Sequence, residues 1–146
     1  MKPKRWGFGG ISIPAISGWV EVTEPGEPFS FTRGDDGVGA LQFSIVLYSA
    51  GQIPNVDVSV LRDMLTEFQE MRGLGEPLAE MALPDMPMVV SRDYQSEGDL
   101  IRVSYVSDGL SVALVTYVCQ WEHRDRESHE VEEIVSGIRF EQAGRA

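Results

Sequence analysis

At 146 residues, with 42% hydrophobic and 24% charged side chains, the chain is long enough to bury one core and too apolar for a disordered segment. Its formal net charge of -11 repels phosphate backbones and anionic lipid, which argues against direct nucleic-acid or membrane binding. A lone cysteine, Cys119, excludes an intrachain disulfide and a thiolate metal cluster within one chain, and its apolar alternating surroundings mark it as a buried thiol.

No apolar run approaches the roughly 18–20 residues that span a bilayer, and the longest, residues 110–118, reads as a strand interrupted by Ser111, Thr116 and Tyr117. The first residues are basic, but Gly7, Phe8, Gly9 and Gly10 follow in place of an apolar signal core. No secretion signal is read, and the cytoplasm is the expected location. Residues 1–15 are expected to be irregular, their glycines serving as flexible turns.

Alternating letters over residues 19–22 and again over 29–32 predict two short strands, separated by the turn Glu24-Pro25-Gly26-Glu27-Pro28. Arg33-Gly34-Asp35-Asp36-Gly37 supplies an Asp-Gly hairpin turn, and a longer strand follows over residues 40–48. These three form an antiparallel meander. Between Asn55 and Gly73 the period lengthens to about 3.6: Leu61, Met64, Leu65, Phe68 and Met71 share one face, and Arg62, Asp63, Glu67 and Glu70 the other. Asp57 or Ser59 caps this main helix, Gly73 closes it in the left-handed conformation, and Leu74 folds back on its last turn.

Residues 75–87 contain Pro77, Pro84 and Pro87 and read as a mostly irregular connection. A strand over 88–94 precedes the clearest hairpin signal, Ser107-Asp108-Gly109 between alternating runs at 100–106 and 110–121. After the mixed-charge turn 122–127, Ser128 is the N-cap of a short helix whose apolar face carries Val131, Ile134, Val135 and Ile138. Glu130, Glu132 and Glu133 suit the positive end of its dipole. Gly137 ends the helix, residues 138–140 add a short strand, and 141–146 fray.

Strands, helix, strands, helix is the order of an α+β fold: a single domain over residues 1–146, with one antiparallel sheet packed against one long and one short helix. That order, the Asp-Gly hairpin and the closing Ile134-Val135-Ser136-Gly137-Ile138-Arg139-Phe140 resemble the Mog1/PsbP-like group, where such a helix leads into a final apolar segment. The resemblance implies a fold and no particular role, because unrelated functions share it, and no binding residues are carried over.

His123 and His129 lie among acidic neighbours but six residues apart, not the four that place two ligands on one helix turn, and Arg124 and Arg126 would repel a cation. They read as part of a solvated charge turn. No Gly-x-Ser-x-Gly elbow is present, and the hydroxyls of Ser44, Ser104, Ser111 and Thr116 fall in predicted strands. Turn chemistry explains Asp35 and Asp36, and neither glycine-rich stretch is a phosphate loop. No catalytic residue, metal or cofactor is assigned, and the chain is read as a non-enzyme. Met64, Met71, Met81, Met86 and Met88 are candidates for an adaptable groove or for core filling, and Trp6, Trp19 and Trp121 for core or interface anchors.

Acidic groups at Glu21, Glu24 and Glu27, at Asp35 and Asp36, and at Glu130, Glu132 and Glu133 either solubilise the chain or steer a basic partner. Gly37-Val38-Gly39-Ala40-Leu41-Gln42-Phe43-Ser44, followed by Ser59-Val60-Leu61-Arg62-Asp63-Met64-Leu65-Thr66-Glu67-Phe68, is similar to small immunity proteins that accompany bacterial polymorphic toxins. This similarity implies a protein that occludes a basic toxin by shape and charge. Asp35, Asp36, Glu122, Asp125 and Glu127 are the residues assigned to the toxin's cationic site. Two other readings stay open: an accessory or assembly subunit of a larger complex, and a small-ligand-binding protein.

Overall fold

The computed structural model describes residues 4–46, 56–85 and 87–141, with all side chains except those of Asp35 and Val46. Residues 47–48 of the predicted third strand, Asn55, Met86 and the tail 142–146 lie outside the described residues.

A hairpin stands where the sequence reading places irregular structure. β1 (Arg5–Phe8) and β2 (Ile11–Pro14) pair antiparallel from Arg5↔Pro14 to Phe8↔Ile11. Gly9 and Gly10 turn the chain with φ of 57° and 88°, the pair of left-handed residues that a two-residue hairpin requires. Gly7 and Pro14 dilute the alternation that would have revealed the strands, yet Ile11 and Ile13 bury completely. β10 (Arg139–Phe140), the short strand expected at 138–140, joins β2 through Arg139↔Ser12 and Phe140↔Ile11. The result is a separate three-stranded sheet, which corrects the expectation of a single one.

The main sheet comprises β3 (Val20–Glu21), β4 (Phe29–Thr32), β5 (Gly39–Val46), β6 (Ala79–Leu83), β7 (Met88–Ser96), β8 (Asp99–Ser107) and β9 (Val112–Gln120). Its strands are antiparallel throughout and ordered β3-β4-β5-β9-β8-β7-β6. β3, β4 and β5 form the expected meander, but β4 and β5 are not joined by an Asp-Gly hairpin. Residues 34–36 make a 3-10 turn closed by Gly37 N–H on Gly34 O at 3.2 Å, and pairing resumes at Thr32↔Ala40. The Val38 N–H is taken by a side chain from another segment, which ends the ladder there.

The β8–β9 hairpin lies where the sequence puts it, with Asp108 Oδ1 accepting from Leu110 N–H at 3.0 Å and Ser111 N–H at 2.8 Å. An unforeseen hairpin joins β7 to β8 through Glu97 and Gly98, at φ of 51° and 85°. Nor is the stretch 75–87 irregular throughout. Pro77 and Pro84 fall outside β6, and pairing with β7 holds Ala-Glu-Met-Ala-Leu as an edge strand despite its weak strand propensity.

α1 (Val58–Arg72) begins at Asp57, whose carboxylate accepts from Val60 N–H at 3.0 Å, and ends at Gly73 with φ 61° and ψ 38°. Leu74 N–H reaches back to Gln69 O at 3.0 Å, the fold-back expected of a left-handed stop. α2 (Ser128–Ser136) has Glu127, not Ser128, at its N-cap position, without a capping side chain. No helix of the described residues is long and apolar enough to cross a membrane.

Strand alternation sends two sets of side chains to opposite faces of the main sheet. On one, Phe31, Leu41, Phe43, Val115 and Tyr117 pack under the small sheet and under Val131, Ile134 and Val135 of α2. On the other, Val90, Tyr94, Val103 and Tyr105 pack under Leu61 and Leu65 of α1. The Phe8 ring joins the sheets, with its centroid 4.9 Å from Phe29 and 5.1 Å from both Phe31 and Phe43. Gly39 sits tightly in this packing: a Cβ there would lie 2.6 Å from Tyr117 Cζ and from Val118 O. Gly39→Ala should therefore lower stability by about 1–3 kcal/mol, read as a lower urea midpoint at unchanged denaturant slope.

Candidate functional site

α2 borders β6, β7 and β8 on the face it shares with the small sheet, and a hollow of about 190 Å³ opens between them. Its apolar wall is Val131 and Val135 of α2, facing Met81 of β6 and Val89 of β7. Its polar floor comes from strand register, because Ser91 lies opposite Ser104 and Asp93 opposite Arg102. The serine hydroxyls share a buried hydrogen bond of 2.6 Å. Asp93 accepts twice from Arg102, at 2.7 Å from Nε and 3.1 Å from Nη2. Burial alone would pull the Arg102 pKa down, but hydrogen bonding to Asp93 and the charges of Asp93 and Glu132 leave it raised. Glu132 stands 3.8 Å from Arg102 Nη1, beyond hydrogen-bond distance.

A second hollow, of about 210 Å³, shares Asp93 and Arg102 with the first and is bounded by Leu78, Leu100, Trp121, Arg124 and Asp125. Arg124 lies over the Trp121 ring at 4.4 Å. Along the hollows runs β6, whose outer edge pairs with no other strand among the described residues; Leu78 just before it is 57% exposed, and Met81 and Leu83 within it are each 38% exposed. On the opposite face of that edge Glu80 takes Arg92 at 2.9 Å and Arg62 at 3.2 Å, and these partners, Arg92 foremost, lower its pKa.

The residues assigned to a toxin's cationic site separate into three groups. Asp36, Glu122 and Asp125 are exposed, and Asp125 lines the second hollow. The Asp35 side chain lies outside the described residues. Glu127 is 2% exposed, which removes it from the partner-facing set. Its carboxylate turns inward because Tyr117, on the core face of β9, presents a buried hydroxyl that needs an acceptor: Oε1 takes Tyr117 O–H at 2.6 Å and Oε2 takes Val38 N–H at 3.2 Å. The Arg33–Glu130 pair, at 3.4 Å, adds a second tie. Together these bring the loop carrying Asp35 and Asp36 to the N-terminal end of α2, next to the segment 122–127.

His123 pairs with Glu122 and His129 with Glu133, and among the described residues no group of three His, Cys, Asp or Glu side chains could hold a metal. Cys119 is buried, and burial raises its pKa. Among the described residues the methionines do not assemble into a groove: Met88 is buried, Met71 is exposed, and only Met81 lines the first hollow. Trp19 belongs to the core, Trp6 stacks on Phe31, and Trp121 borders the second hollow.

No protein-family model matches the chain, and no curated protein matches it. Solved structures do match. A Bacteroides thetaiotaomicron protein superposes with a TM-score of 0.66 and 16% identity over 99% of this chain, which spans about half, 51%, of that protein's length. Cyanobacterial PsbP (CyanoP) of Synechocystis gives 0.62 at 12% identity, covering 94% of this chain and 91% of the other. The Ran-binding protein Mog1p of Saccharomyces cerevisiae gives 0.56 at 11% identity, covering 96% of each. The fold is Mog1/PsbP-like. At such identities the likeness is one of fold alone.

Glu127→Gln leaves one oxygen to serve two buried donors, so a loss of about 1–3 kcal/mol is expected in urea unfolding. Tyr117 is held well above the usual tyrosine range, by burial first and then by its hydrogen bond to Glu127 and the charge there, while burial also raises Tyr94 and Tyr105. As pH rises past about 10 the unfolded tyrosines ionise before the folded ones, so the unfolded state loses protons first and stability falls. In an alkaline titration followed by tyrosinate absorbance, Tyr117 should ionise only together with loss of the folded circular-dichroism signal.

Proposed function

We propose that this chain is a non-catalytic protein-binding domain that acts in the cytoplasm as an immunity protein, neutralising a cognate bacterial toxin by covering it. The observation that carries this reading is the free edge of β6, where Leu78, Met81 and Leu83 stand exposed beside hollows containing Asp93, Asp125 and Glu132. A free strand edge offers backbone donors and acceptors to another chain, and exposed aliphatic side chains add area to bury. Asp36, Glu122 and Asp125 lie exposed around the N-terminal end of α2, and the net charge of -11 favours a basic partner over an acidic one. The similarity of residues 37–44 and 59–68 to immunity proteins is the reason for naming a toxin as that partner.

An accessory subunit of a larger assembly is the second reading. It draws on the fold, since one of the structural neighbours, Mog1p, is a Ran-binding protein.

An affinity capture from lysate of the native host, at low and at moderate salt, separates the two. The immunity reading expects one basic partner, released by salt, whose association slows about tenfold for the triple variant Asp36→Lys, Glu122→Lys, Asp125→Lys. A multi-subunit assembly in its place would favour the accessory reading, and an unchanged association rate would remove electrostatic steering by these three residues.

A further inference from the structure

We propose that the hollow between α2 and strands β6 to β8 is a docking groove for a cationic side chain, arginine or lysine, of a basic protein partner; this deepens the protein-binding reading and rests on it.

The hollow's size, about 190 Å³, falls below the roughly 300–1,000 Å³ of small-molecule pockets and suits a single side chain. Its walls suit the stem of such a side chain. Val131, Val135 and Met81 offer apolar contact to the methylenes of lysine or arginine, which bury along apolar surface while the charged head stays with polar groups.

Its floor suits the head. Four charged residues line it, Glu80, Asp93, Arg102 and Glu132; the Glu80 carboxylate is engaged by Arg62 and Arg92 on the other side of the strand, which leaves two carboxylates against one cation. Each Asp93 oxygen accepts one hydrogen bond from Arg102, and an ionised carboxylate has about four acceptor sites. Glu132 is only loosely engaged, at 3.8 Å from Arg102 with its side chain 49% exposed. Donor-only ammonium and guanidinium groups also match the lone pairs of the Ser91 and Ser104 hydroxyls. An anion would have to displace Asp93 from Arg102 and then sit beside Glu132, so the charge pattern disfavours it.

The test uses the full chain and small probes in place of the partner. Methyl resonances of Met81, Val131 and Val135 are followed by NMR while N-acetyl-arginine amide, N-acetyl-lysine amide or N-acetyl-glutamate is added. The expected result is saturable shifts with either cationic probe at roughly millimolar affinity, weakened about tenfold by Glu132→Gln and abolished by Glu132→Lys. Glu132 stands half-exposed at the rim of the hollow and makes no hydrogen-bond-length contact with Arg102, so both variants should keep the wild-type unfolding midpoint. Absence of shifts at these methyls, equal shifts with the glutamate probe, or shifts that survive Glu132→Lys would each overturn the groove assignment. Because no partner is needed, such a failure leaves the protein-binding reading standing, whereas a failed capture from lysate would count against that reading and not against a groove that responds to the probes.

Discussion

The placement of α2 depends on one buried carboxylate. Glu127 stands at the residue before the helix and divides its oxygens between the Tyr117 hydroxyl of the central strand β9 and the Val38 amide that leads into β5. Three segments are fixed by two hydrogen bonds to one carboxylate, one of them spanning 89 positions, in a site where an unpaired donor would carry a desolvation cost. Gly39 belongs to the same arrangement, since a Cβ there would meet the Tyr117 hydroxyl that Glu127 accepts from, at 2.6 Å. Arg5 performs the equivalent service at the other end of α2, donating to Ser12 O at 3.0 Å and to Gly137 O at 2.5 Å, which ties the first hairpin to the end of the helix.

With both ends of α2 pinned, the groove follows as geometry. The helix lies against β2 and β8, while α1 packs on β7 and β8 from the opposite face. The two covers are offset across the sheet, so the α2 side of β6 and β7 has only the flank of α2 beside it. Polar residues can exist there. Ser91, Ser104, Asp93 and Arg102 occupy strand positions that alternate with fully buried Val90 and Val103, and their hydrogen bonds to one another substitute for water.

Much of the fold was legible because local signals and tertiary packing agree. The cap at Asp57, the stop at Gly73 and the Asp108 turn each rest on interactions within a few residues, and the meander of β3 to β5 joins neighbouring alternating runs. What stayed hidden depends on partners that no local pattern names. β6 becomes a strand because β7 offers it a ladder, and β2 acquires its second neighbour from residues 139–140. Glu127 looked like one more surface charge among Glu122, Asp125 and Arg126, and only the Tyr117 hydroxyl across the core distinguishes it. The groove was illegible for the same reason: Asp93 and Arg102 meet through the register of the Glu97-Gly98 hairpin, whose first residue is not one that commonly signals such a turn.

The small sheet has a consequence for synthesis on the ribosome. β1 and β2 precede the other strands, but Ser12 pairs with Arg139 and β5 pairs with β9, so the inner edges of the early strands wait for residues made more than sixty positions later. Loop closure over such spans is slow relative to local pairing. Until β9 is made, the nascent chain therefore carries strands built around Phe29, Phe31 and Phe43 whose inner edge is unpaired, the kind of exposed apolar segment that is prone to associate.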